Sequence, residues 1–577
     1  MDQHGDAMQG LSGGDLPLAR ASAGRPLLVA LLLAAAFFGV YLVNIGIQDF
    51  TNASENVVIE AALEAREGGP WWIPNMHGRP RILKPPLATW IAAAGMRPAT
   101  IASTRSGDLS AREAAFRELA REARWPSALA AALVVLGTWW LGRILADDVV
   151  GLAAAAMCGS TVLLLRFGRM ANTDVQLTLW VVLANGFLAM AVLRGRWWSG
   201  CLGAGVCLGL AIMSKGPVSL LQSVLPWAAF AVYRKVVKGD DAIKNQNRAN
   251  LLAMGAGALA LLAIALPWPV SVVMLVPDAA QSWWKDVFAP PGTEERVGHW
   301  WGYINLVPNL LPWAPLFIGG LCLPFLKRFR QKRVIAAWFL FAAPIVVMSF
   351  VRDKNERYGM PMVPAAAILS GVIAVEFARN RGRLIWSDRL AEVTLWVAGF
   401  AMAAAILAAA IPIGKQPALL PWNVAWVGSA LAMAAMVIAL LGRWRGIWWA
   451  MVAGPAVVSL MVYHIAMLGY VASASGQSDF KPIALHVAMK YPDAELLYYE
   501  GGTGRHVPTD LAIYAGRIVR SGSEEMLQRK SDGKQVLFAL QRADQPVREY
   551  PGWVFAASEP AEGRRCCVYT KEPSQVP

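Results

Sequence analysis

The sequence predicts a polytopic α-helical membrane protein with about thirteen transmembrane helices and a small C-terminal α/β domain. The first observation behind this prediction is composition: 56% of the 577 residues are hydrophobic and 16% are charged, whereas soluble domains average about 25% charged residues. The second is the number of apolar runs of about 18 residues or more, which is long enough to cross a bilayer. The third is a change in character near residue 475, where the long apolar runs end.

The predicted spans follow one another from the first apolar run to the last. The first run is long enough to span and lacks a convincing cleavage site, so it is predicted to be an anchor. Residues 85–96 are apolar but too short to span, and we expect them to be interfacial or re-entrant. The predicted limits are 26–47, 126–146, 149–165, 175–193, 199–213, 216–233, 250–275, 304–325, 333–351, 358–377, 392–412, 421–441 and 446–470.

The distribution of Lys and Arg predicts the orientation. Basic residues collect in alternate connections, including 234–248, 327–333 and 379–383, and connections of this kind are cytoplasmic. This pattern accounts for the net charge of +14 without a nucleic-acid partner. With residues 1–25 as a cytoplasmic tail, an odd number of spans puts residues 472–577 outside.

The orientation divides the chain into the tail, a membrane domain at 26–471 with outer-face loops at 48–125 and 276–303, and a C-terminal domain at 472–577. In the last part, "ELLYYEG", "KQVLFAL", "GWVFAAS" and "RCCVYT" are predicted strands. "PIALHVAMKY" and "TDLAIYAGR" are predicted helices. About 100 residues are enough for a separate core, which predicts a small α/β domain.

Loop 48–125 carries several carboxylates directly after the first span. Asn52 and Glu55 have the spacing of a helix N-cap and its third residue, so we expect a helix to begin there. The Arg-rich segment 104–125 is expected to be solvated, with an amphipathic helix and a contact to anionic lipid head groups as alternatives. Three further carboxylates are expected on a mostly solvated helix face because they lie three and four residues apart: Glu60, Glu64 and Glu67.

Four segments on the predicted outer face occur together: "SENVVIEAALEAREGGPWWIPNMHGRPRILKPPLATW" (54–90), "RFGRMANTDVQL" (166–177), "LAIMSKGPV" (210–218) and "DKNERYGMPMVP" (353–364). As a set they resemble the GT-C class of membrane glycosyltransferases. Within that class they are most similar to the aminoarabinose lipid A transferases and the dolichyl-phosphate-mannose-protein mannosyltransferase-like proteins. The resemblance covers most of the chain, since it extends to thirteen spans and a C-terminal periplasmic α/β domain.

The resemblance implies the inverting transfer of one sugar from a polyprenyl-phosphate carrier, at the outer face of the bacterial inner membrane. The implied acceptor is a lipid such as lipid A, a glycan or a protein; the other implied partners are membrane lipids, and the protein is expected to be a monomer. The leaving phosphate requires cationic groups that stabilise its charge. A hydroxyl acceptor requires a carboxylate base, whereas a phosphate acceptor is already a nucleophile and needs only positioning.

Two other functions stay open at this point. A transporter or flippase for a lipid-linked sugar would carry charge inside paired broken helices. A non-catalytic protein that binds the carrier lipid is the other alternative, because two positions depart from the family pattern. Ser54 stands where the family has its catalytic Asp, and Leu83 stands where some relatives have an acidic metal ligand. Leucine cannot ligate a metal, so no divalent metal is carried over to this chain.

The positions that match the family pattern supply the candidate catalytic residues. Glu55, next to Ser54, is the candidate base, with helix capping as its alternative role. Asp174 matches the Asp of the second segment and is expected to orient a basic residue or the acceptor. Its alternative role is to cap the following helix, which the two preceding residues can also cap. Asp49, six residues before Glu55, is a candidate to replace the missing Asp.

Basic and aromatic residues of the outer segments are the candidates to bind the carrier phosphate or the sugar. Lys84 precedes two prolines that restrict the backbone, and His299 lies beside tryptophans in loop 276–303. For each residue, anchoring at the membrane interface is the alternative. The substrate-binding candidates are Lys84, Arg166, Arg169, Lys215, His299, Lys354, Arg357, Tyr358 and Asp49.

Overall fold

The computed structural model has a helical membrane part followed by a domain with a mixed β-sheet. The structure describes residues 24–238, 248–288, 302–351, 354–379, 396, 399–400, 403–404, 406–408, 410–412, 418, 421–445, 447–472, 476–500, 507–528 and 533–571. Within these residues, eight helical segments are long and apolar enough to cross a bilayer: Arg25–Leu42, Leu109–Leu145, Thr173–Arg194, Trp197–Lys215, Arg248–Leu275, Glu356–Ala378, Ala425–Gly442 and Trp449–Val471. The chain is therefore a polytopic helical membrane protein.

The helices of the membrane part differ widely in length, from short turns to a helix of 37 residues. Short 3₁₀ segments lie at Gly302–Asn305, Leu323–Phe325, Lys327–Phe329 and Glu356–Met362. The α-helices are α1 (Gly24–Leu42), α2 (Ala53–Arg66), α3 (Leu87–Gly95), α4 (Pro98–Ser103), α5 (Leu109–Leu145), α6 (Asp148–Gly159), α7 (Val162–Phe167), α8 (Thr173–Arg194), α9 (Trp197–Lys215), α10 (Val218–Gln222), α11 (Val224–Lys238), α12 (Arg248–Ala265), α13 (Pro267–Leu275), α14 (Ala279–Phe288), α15 (Leu306–Asn309), α16 (Ala314–Cys322), α17 (Lys332–Met348), α18 (Val363–Arg379), α19 (Trp422–Trp444) and α20 (Trp448–Ala472).

Several predicted spans are interrupted rather than continuous. Proline has no N–H and is favoured at the first position of a helix, as at Pro267, which opens α13. Thr161 begins α7 as a side-chain cap and accepts a hydrogen bond from the Leu164 N–H at 3.3 Å. The predicted span 392–412 lies mostly outside the described residues. The interrupted spans are 149–165 (α6 and α7), 216–233 (α10 and α11), 250–275 (α12 and α13) and 304–325 (α15, α16 and 3₁₀ turns).

Helix α5 continues well beyond the length of a membrane span. Its 37 residues extend for about 55 Å at 1.5 Å per residue, against a hydrocarbon thickness of about 30 Å. In its first part, Phe116, Leu119 and Ala123 are buried against α2 and the C-terminal domain. The prediction that 104–125 is solvated is therefore wrong for one face of the helix, because apolar residues at helical spacing form a buried stripe. Its amphipathic alternative is confirmed, since Arg117 and Arg121 on the other face are exposed.

The C-terminal domain contains the predicted strands and helices. Its sheet has the strand order β4 (Val519–Ser521), β3 (Glu495–Tyr499), β5 (Gln535–Gln541), β7 (Arg564–Lys571) and β6 (Val554–Ala561). Strand β3 is parallel to β4 and β5, and β7 is antiparallel to β5 and β6. Strand β4 has only three residues and was not predicted. A small antiparallel hairpin, β1 (Asn75–Met76) and β2 (Arg79–Pro80), lies in loop 48–125. The domain's elements are α21 (Lys481–Lys490), β3 (Glu495–Tyr499), α22 (Thr509–Ala515), β4 (Val519–Ser521), α23 (Glu524–Gln528), β5 (Gln535–Gln541), β6 (Val554–Ala561) and β7 (Arg564–Lys571).

The domain packs on loop 48–125 through Tyr514. The Tyr514 hydroxyl accepts a hydrogen bond from the Phe50 N–H at 3.1 Å. Its ring meets the Phe116 ring edge-on, with the centroids 4.9 Å apart. Asp49 accepts a hydrogen bond from Lys481 Nζ at 2.8 Å. These contacts fix the start of α2 and the first part of α5, the elements that carry or support several candidate residues.

Candidate active site

Asp174 lies buried in the first turn of α8. The Asn172 side chain caps this helix, accepting hydrogen bonds from the N–H groups of Asp174 and Val175 at 2.9 and 3.1 Å. Asn172, rather than Asp174, caps this helix, which was one of the alternatives from the sequence. The Asp174 carboxylate is therefore available for other partners.

Two cations hold the Asp174 carboxylate. Lys215, at the end of α9, donates a hydrogen bond to Oδ1, and Arg357 Nε lies 3.6 Å from Oδ2. The Lys215 ammonium also lies over the Tyr358 ring, 4.1 Å from the centroid, at a distance suited to a cation–π contact. The side chains of Lys215 and Arg357 are 11% and 17% exposed, so both cations keep some access to a ligand.

The charges of Asp174, Lys215 and Arg357 also act on Lys84. The pKa of Lys84 is lowered to about 8, first by burial and then by the charges of Lys215, Arg81 and Arg357, while Asp174 opposes the shift. We call Lys84, Asp174, Lys215, Arg357 and Tyr358 the Asp174 centre. It combines three cations with one carboxylate, which leaves an excess of positive charge.

This charge balance decides which ligands fit the Asp174 centre. Phosphate oxygens bind ammonium and guanidinium groups through strong charge-assisted hydrogen bonds, whereas three cations repel a metal ion. Leu83, at the position of a metal ligand in some relatives, is exposed. The part of the chain that the structure describes contains no group of three or more His, Cys, Asp or Glu residues able to hold a metal. The residues present fit a phosphate and do not fit a divalent metal.

Glu55 lies in a different, closed ion pair. Its two carboxylate oxygens accept hydrogen bonds from Arg124 Nε at 2.8 Å and Nη2 at 2.9 Å. The Ala171 N–H adds a third bond, at 2.9 Å. The side chains of Glu55 and Arg124 are 1% and 2% exposed. A general base must reach the acceptor, and both Glu55 oxygens are engaged by Arg124. We therefore interpret Glu55 as part of a structural ion pair.

The other carboxylates of α2 are partnered as well. Glu60 is buried and its Oε1 lies 2.5 Å from His77 Nδ1. Glu64 accepts a hydrogen bond from the Gly78 N–H at 3.1 Å, and Glu67 pairs with Arg105. The prediction of a mostly solvated face is wrong for Glu60, because the hairpin of loop 48–125 folds back over this face of α2, whereas Glu67 is exposed as predicted.

The remaining candidates lie around the Asp174 centre or away from it. Asp49 binds Lys481 and therefore belongs to the contact with the C-terminal domain. Arg169 is buried and donates to the Val43 carbonyl at 2.6 Å.

Arg166 and Lys354 lie near the 3₁₀ segment that carries Arg357. Arg166 Nη1 donates to Glu356 Oε1 at 3.2 Å, and Lys354 Nζ donates to the Val351 carbonyl at 2.6 Å. His299 lies outside the described residues, so its role stays a prediction. The site roles of Arg166 and Lys354 also stay predictions.

The comparisons with known proteins agree with the four-segment resemblance. Residues 114–268 match the sequence model of the dolichyl-phosphate-mannose-protein mannosyltransferase family. The crystal structure of ArnT from Cupriavidus metallidurans bound to undecaprenyl phosphate superposes with a TM-score of 0.67 and 19% identity, covering 94% of this chain and 98% of that chain. This chain has the ArnT fold. The predicted resemblance to the GT-C glycosyltransferases is thereby confirmed.

Several curated relatives of this ArnT-like chain are named as transferases of an aminoarabinose linked to undecaprenyl phosphate. An undecaprenyl phosphate-alpha-4-amino-4-deoxy-L-arabinose arabinosyl transferase 2 of Pseudomonas fluorescens is 26% identical over 392 residues, which are 64% of this chain and 60% of the relative. A transferase for the same carrier-linked sugar from Pseudomonas aeruginosa is 28% identical over 363 residues, 60% of each chain. The chain thus spans about three fifths of the length of the curated relatives it matches.

Proposed function

We propose that this protein is an inverting glycosyltransferase of the GT-C class that transfers one sugar from a polyprenyl-phosphate carrier to an acceptor at the outer face of the bacterial inner membrane. The observation that carries the proposal is the excess of positive charge in the Asp174 centre. Three cations around one carboxylate suit a ligand that brings its own negative charge. The ArnT fold and the names of the relatives support the same donor class.

The residues of the Asp174 centre take distinct roles in this reaction. Lys84 and Arg357 bind the phosphate that links the sugar to the polyprenyl chain. Asp174 orients Lys215 and Arg357 by ion pairing. The acceptor oxygen attacks the anomeric carbon from the face opposite the phosphate, the bond from that carbon to the phosphate oxygen breaks, and its electron pair stays on the departing carrier phosphate. The three cations stabilise this developing charge.

The acceptor class that we favour is an ionised lipid phosphate, as on a lipid A-like acceptor. Within the described residues, the carboxylates considered as bases are already engaged: Glu55 with Arg124, Asp174 with two cations and Asp49 with Lys481. A hydroxyl acceptor would need a free base to take its proton. A phosphate oxygen carries no such proton, so positioning is sufficient. Glycan and protein acceptors are the alternatives that the test below separates.

The proposal includes the finer arrangement in the membrane. We propose about thirteen spans in 26–471, a cytoplasmic tail at 1–25 and a periplasmic domain at 472–577. The eight segments long enough to span in the described residues and the alternating basic connections support this arrangement. Cysteine labelling from the periplasmic side tests it: a cysteine placed at Lys490 should react in intact cells, and one placed at Arg330 should react only after lysis.

Transfer by the purified protein tests the function. The protein is reconstituted with radiolabelled undecaprenyl-phosphate 4-amino-4-deoxy-L-arabinose, the sugar named in the relatives, and with bacterial lipid extract, a glycan fraction or an envelope protein fraction. We expect label to move to the lipid fraction, and prior treatment of the lipids with phosphatase should abolish the product.

Two results would contradict this function. Passage of the labelled donor across the bilayer without a new product would indicate a flippase. Binding of the donor without transfer to any fraction would indicate a non-catalytic carrier-binding protein, the reading that Ser54 makes relevant.

A further inference from the structure

A tight hairpin immediately before Lys84 is clamped to α2. His77 and Gly78 form its two-residue turn and both have positive φ, 54° and 72°, as the favoured hairpin turns require. The Glu60 carboxylate accepts a hydrogen bond from the His77 N–H at 3.2 Å, and Glu64 accepts one from the Gly78 N–H at 3.1 Å. Two carboxylates one helical turn apart thus hold the turn of the hairpin.

Glu60 also lies in a buried group of charges. Its Oε1 is 2.5 Å from His77 Nδ1, and the two side chains are 6% and 9% exposed. Arg81 is buried nearby. Burial lowers the pKa of Arg81 to about 10 and Glu60 opposes that shift; burial raises the pKa of Glu60, and both His77 and Arg81 oppose it. Buried charges are tolerated where they compensate each other, so the Glu60 charge offsets part of the cost of burying Arg81.

Arg81 connects this buried group to the segment that contains Lys84. Its N–H donates to the Pro74 carbonyl at 2.8 Å, and its Nη1 donates to Thr89 Oγ1 in α3 at 3.4 Å. The next residue, Ile82, accepts a hydrogen bond from Trp283 Nε1 at 2.9 Å. Lys84 lies two residues further on and is followed by two buried prolines. The backbone is therefore held on both sides of Lys84.

We propose that Glu60, acting through His77 and Arg81, is a positioning residue that holds the Lys84 ammonium in the Asp174 centre for the carrier phosphate. The proposal rests on the proposed function only in taking Lys84 as a ligand of that phosphate. Glu60 itself does not touch the substrate. Its role is to keep the hairpin closed on α2, so that Lys84 stays half-buried in the Asp174 centre rather than turning into solvent.

A double-mutant cycle on undecaprenyl phosphate binding tests the proposal. Affinity is measured for the reconstituted full chain and for Glu60→Gln, Lys84→Ala and the double variant. Loss of one charge-assisted contact is worth on the order of tenfold in affinity, so each single variant should bind about tenfold more weakly. The double variant should bind no more weakly than Lys84→Ala alone, because Glu60 acts through Lys84. Independent, multiplying effects would overturn the proposal.

Glu67→Gln is the matched control, because Glu67 caps the C-terminus of the same helix and pairs with Arg105 instead of the hairpin. It should bind like the wild type. Lys84 is also acetylated with a lysine reagent across a pH series and followed by mass spectrometry, which needs no substrate. In Glu60→Gln the labelling midpoint should move up from about 8 toward that of an ordinary lysine, since Lys84 loses its burial.

The outcomes separate the two proposals. If the wild-type protein does not bind undecaprenyl phosphate, the proposed function fails. The pH midpoint of Lys84 acetylation then tests the positioning role of Glu60 by itself. If the wild-type protein binds and Glu60→Gln binds equally well, the function stands and the positioning role is overturned. A midpoint that stays unchanged or moves down in Glu60→Gln would also overturn it, because a downward shift shows an effect of charge without a change in the position of Lys84.

Discussion

The Glu55–Arg124 pair and the Asp174 centre each contain a buried carboxylate held by cations. They differ in net charge and in how far their cations are exposed to a ligand. Glu55 meets one guanidinium through two hydrogen bonds and receives a backbone N–H. The rest of Arg124 donates to the carbonyls of Ile45 and Gln48. Asp174 meets two cations whose side chains keep some exposure, and Lys84 adds a third charge. A pair whose hydrogen-bonding groups are all used holds the fold together, whereas a centre with excess charge can bind a ligand.

The largest expected effect comes from breaking the closed pair. Arg124→Leu leaves the Glu55 carboxylate buried without its cation, which should lower the free energy of unfolding by about 3–5 kcal/mol. Thermal unfolding in detergent measures it. The double variant Glu55→Leu/Arg124→Leu should regain much of this loss, since it removes both charges. An Arg124→Leu protein as stable as the wild type would contradict the structural role of the pair.

The next effect concerns the rate of transfer. Asp174→Asn removes the charge that orients Lys215 and Arg357, and by comparison with the loss of one preorganised electrostatic group the rate should fall on the order of 100-fold. Sugar transfer is measured under single-turnover conditions at saturating donor. The unfolding temperature should change less than in Arg124→Leu, because the two cations are partly exposed. If Asp174→Asn greatly lowered stability but left the rate of transfer unchanged, Asp174 would have a structural role like that of Glu55.

A smaller effect is expected on donor affinity. Lys84→Ala removes one cation from the Asp174 centre and should weaken binding on the order of tenfold, near the lower end of the about 1.5–3 kcal/mol that a charged hydrogen bond contributes. Binding of undecaprenyl phosphate measures the change. Lys490→Ala is the matched control, since Lys490 is an exposed lysine at the end of α21. Equal losses in both variants would indicate nonspecific attraction to anionic lipid.

The smallest effect is a dependence on pH. The pKa of Lys84 is lowered to about 8, first by burial and then by Lys215. Lys84 is therefore charged below this pH and loses its proton as the pH rises through it, so the affinity for undecaprenyl phosphate should fall between about pH 7 and pH 9. Lys84→Arg should remove the fall, because guanidinium stays charged over this range. If the affinity of the wild-type protein for undecaprenyl phosphate did not change over this pH range, Lys84 would not be a ligand of the phosphate.

The membrane class, the C-terminal domain and the segments of the Asp174 centre were predictable because long apolar runs, strand patterns and four matching motifs lie in the sequence. The breaks inside α-helical spans were less predictable, although Pro267 marks one of them. The burial of Glu55 was partly predictable, since Glu55 shares one helix face with the apolar residues Ile59 and Ala62, which are both buried.

The partners of the carboxylates were not predictable from local sequence. Arg124 lies 69 residues from Glu55 along the chain, and His77 reaches Glu60 only because the hairpin folds back on α2. Spacing along one helix predicts its faces but does not identify which distant segment covers each face.

We assign Asp174 to the transfer reaction and Glu55 to the stability of the fold, and one measurement tests this assignment directly. Single-turnover sugar transfer is compared for Asp174→Asn and Glu55→Gln, each reconstituted and assayed well below its unfolding temperature. We expect Asp174→Asn to lose on the order of 100-fold in rate and Glu55→Gln to stay within a few-fold of the wild type, with its loss confined to stability. A folded Glu55→Gln protein without transfer activity, beside an active Asp174→Asn protein, would contradict the assignment.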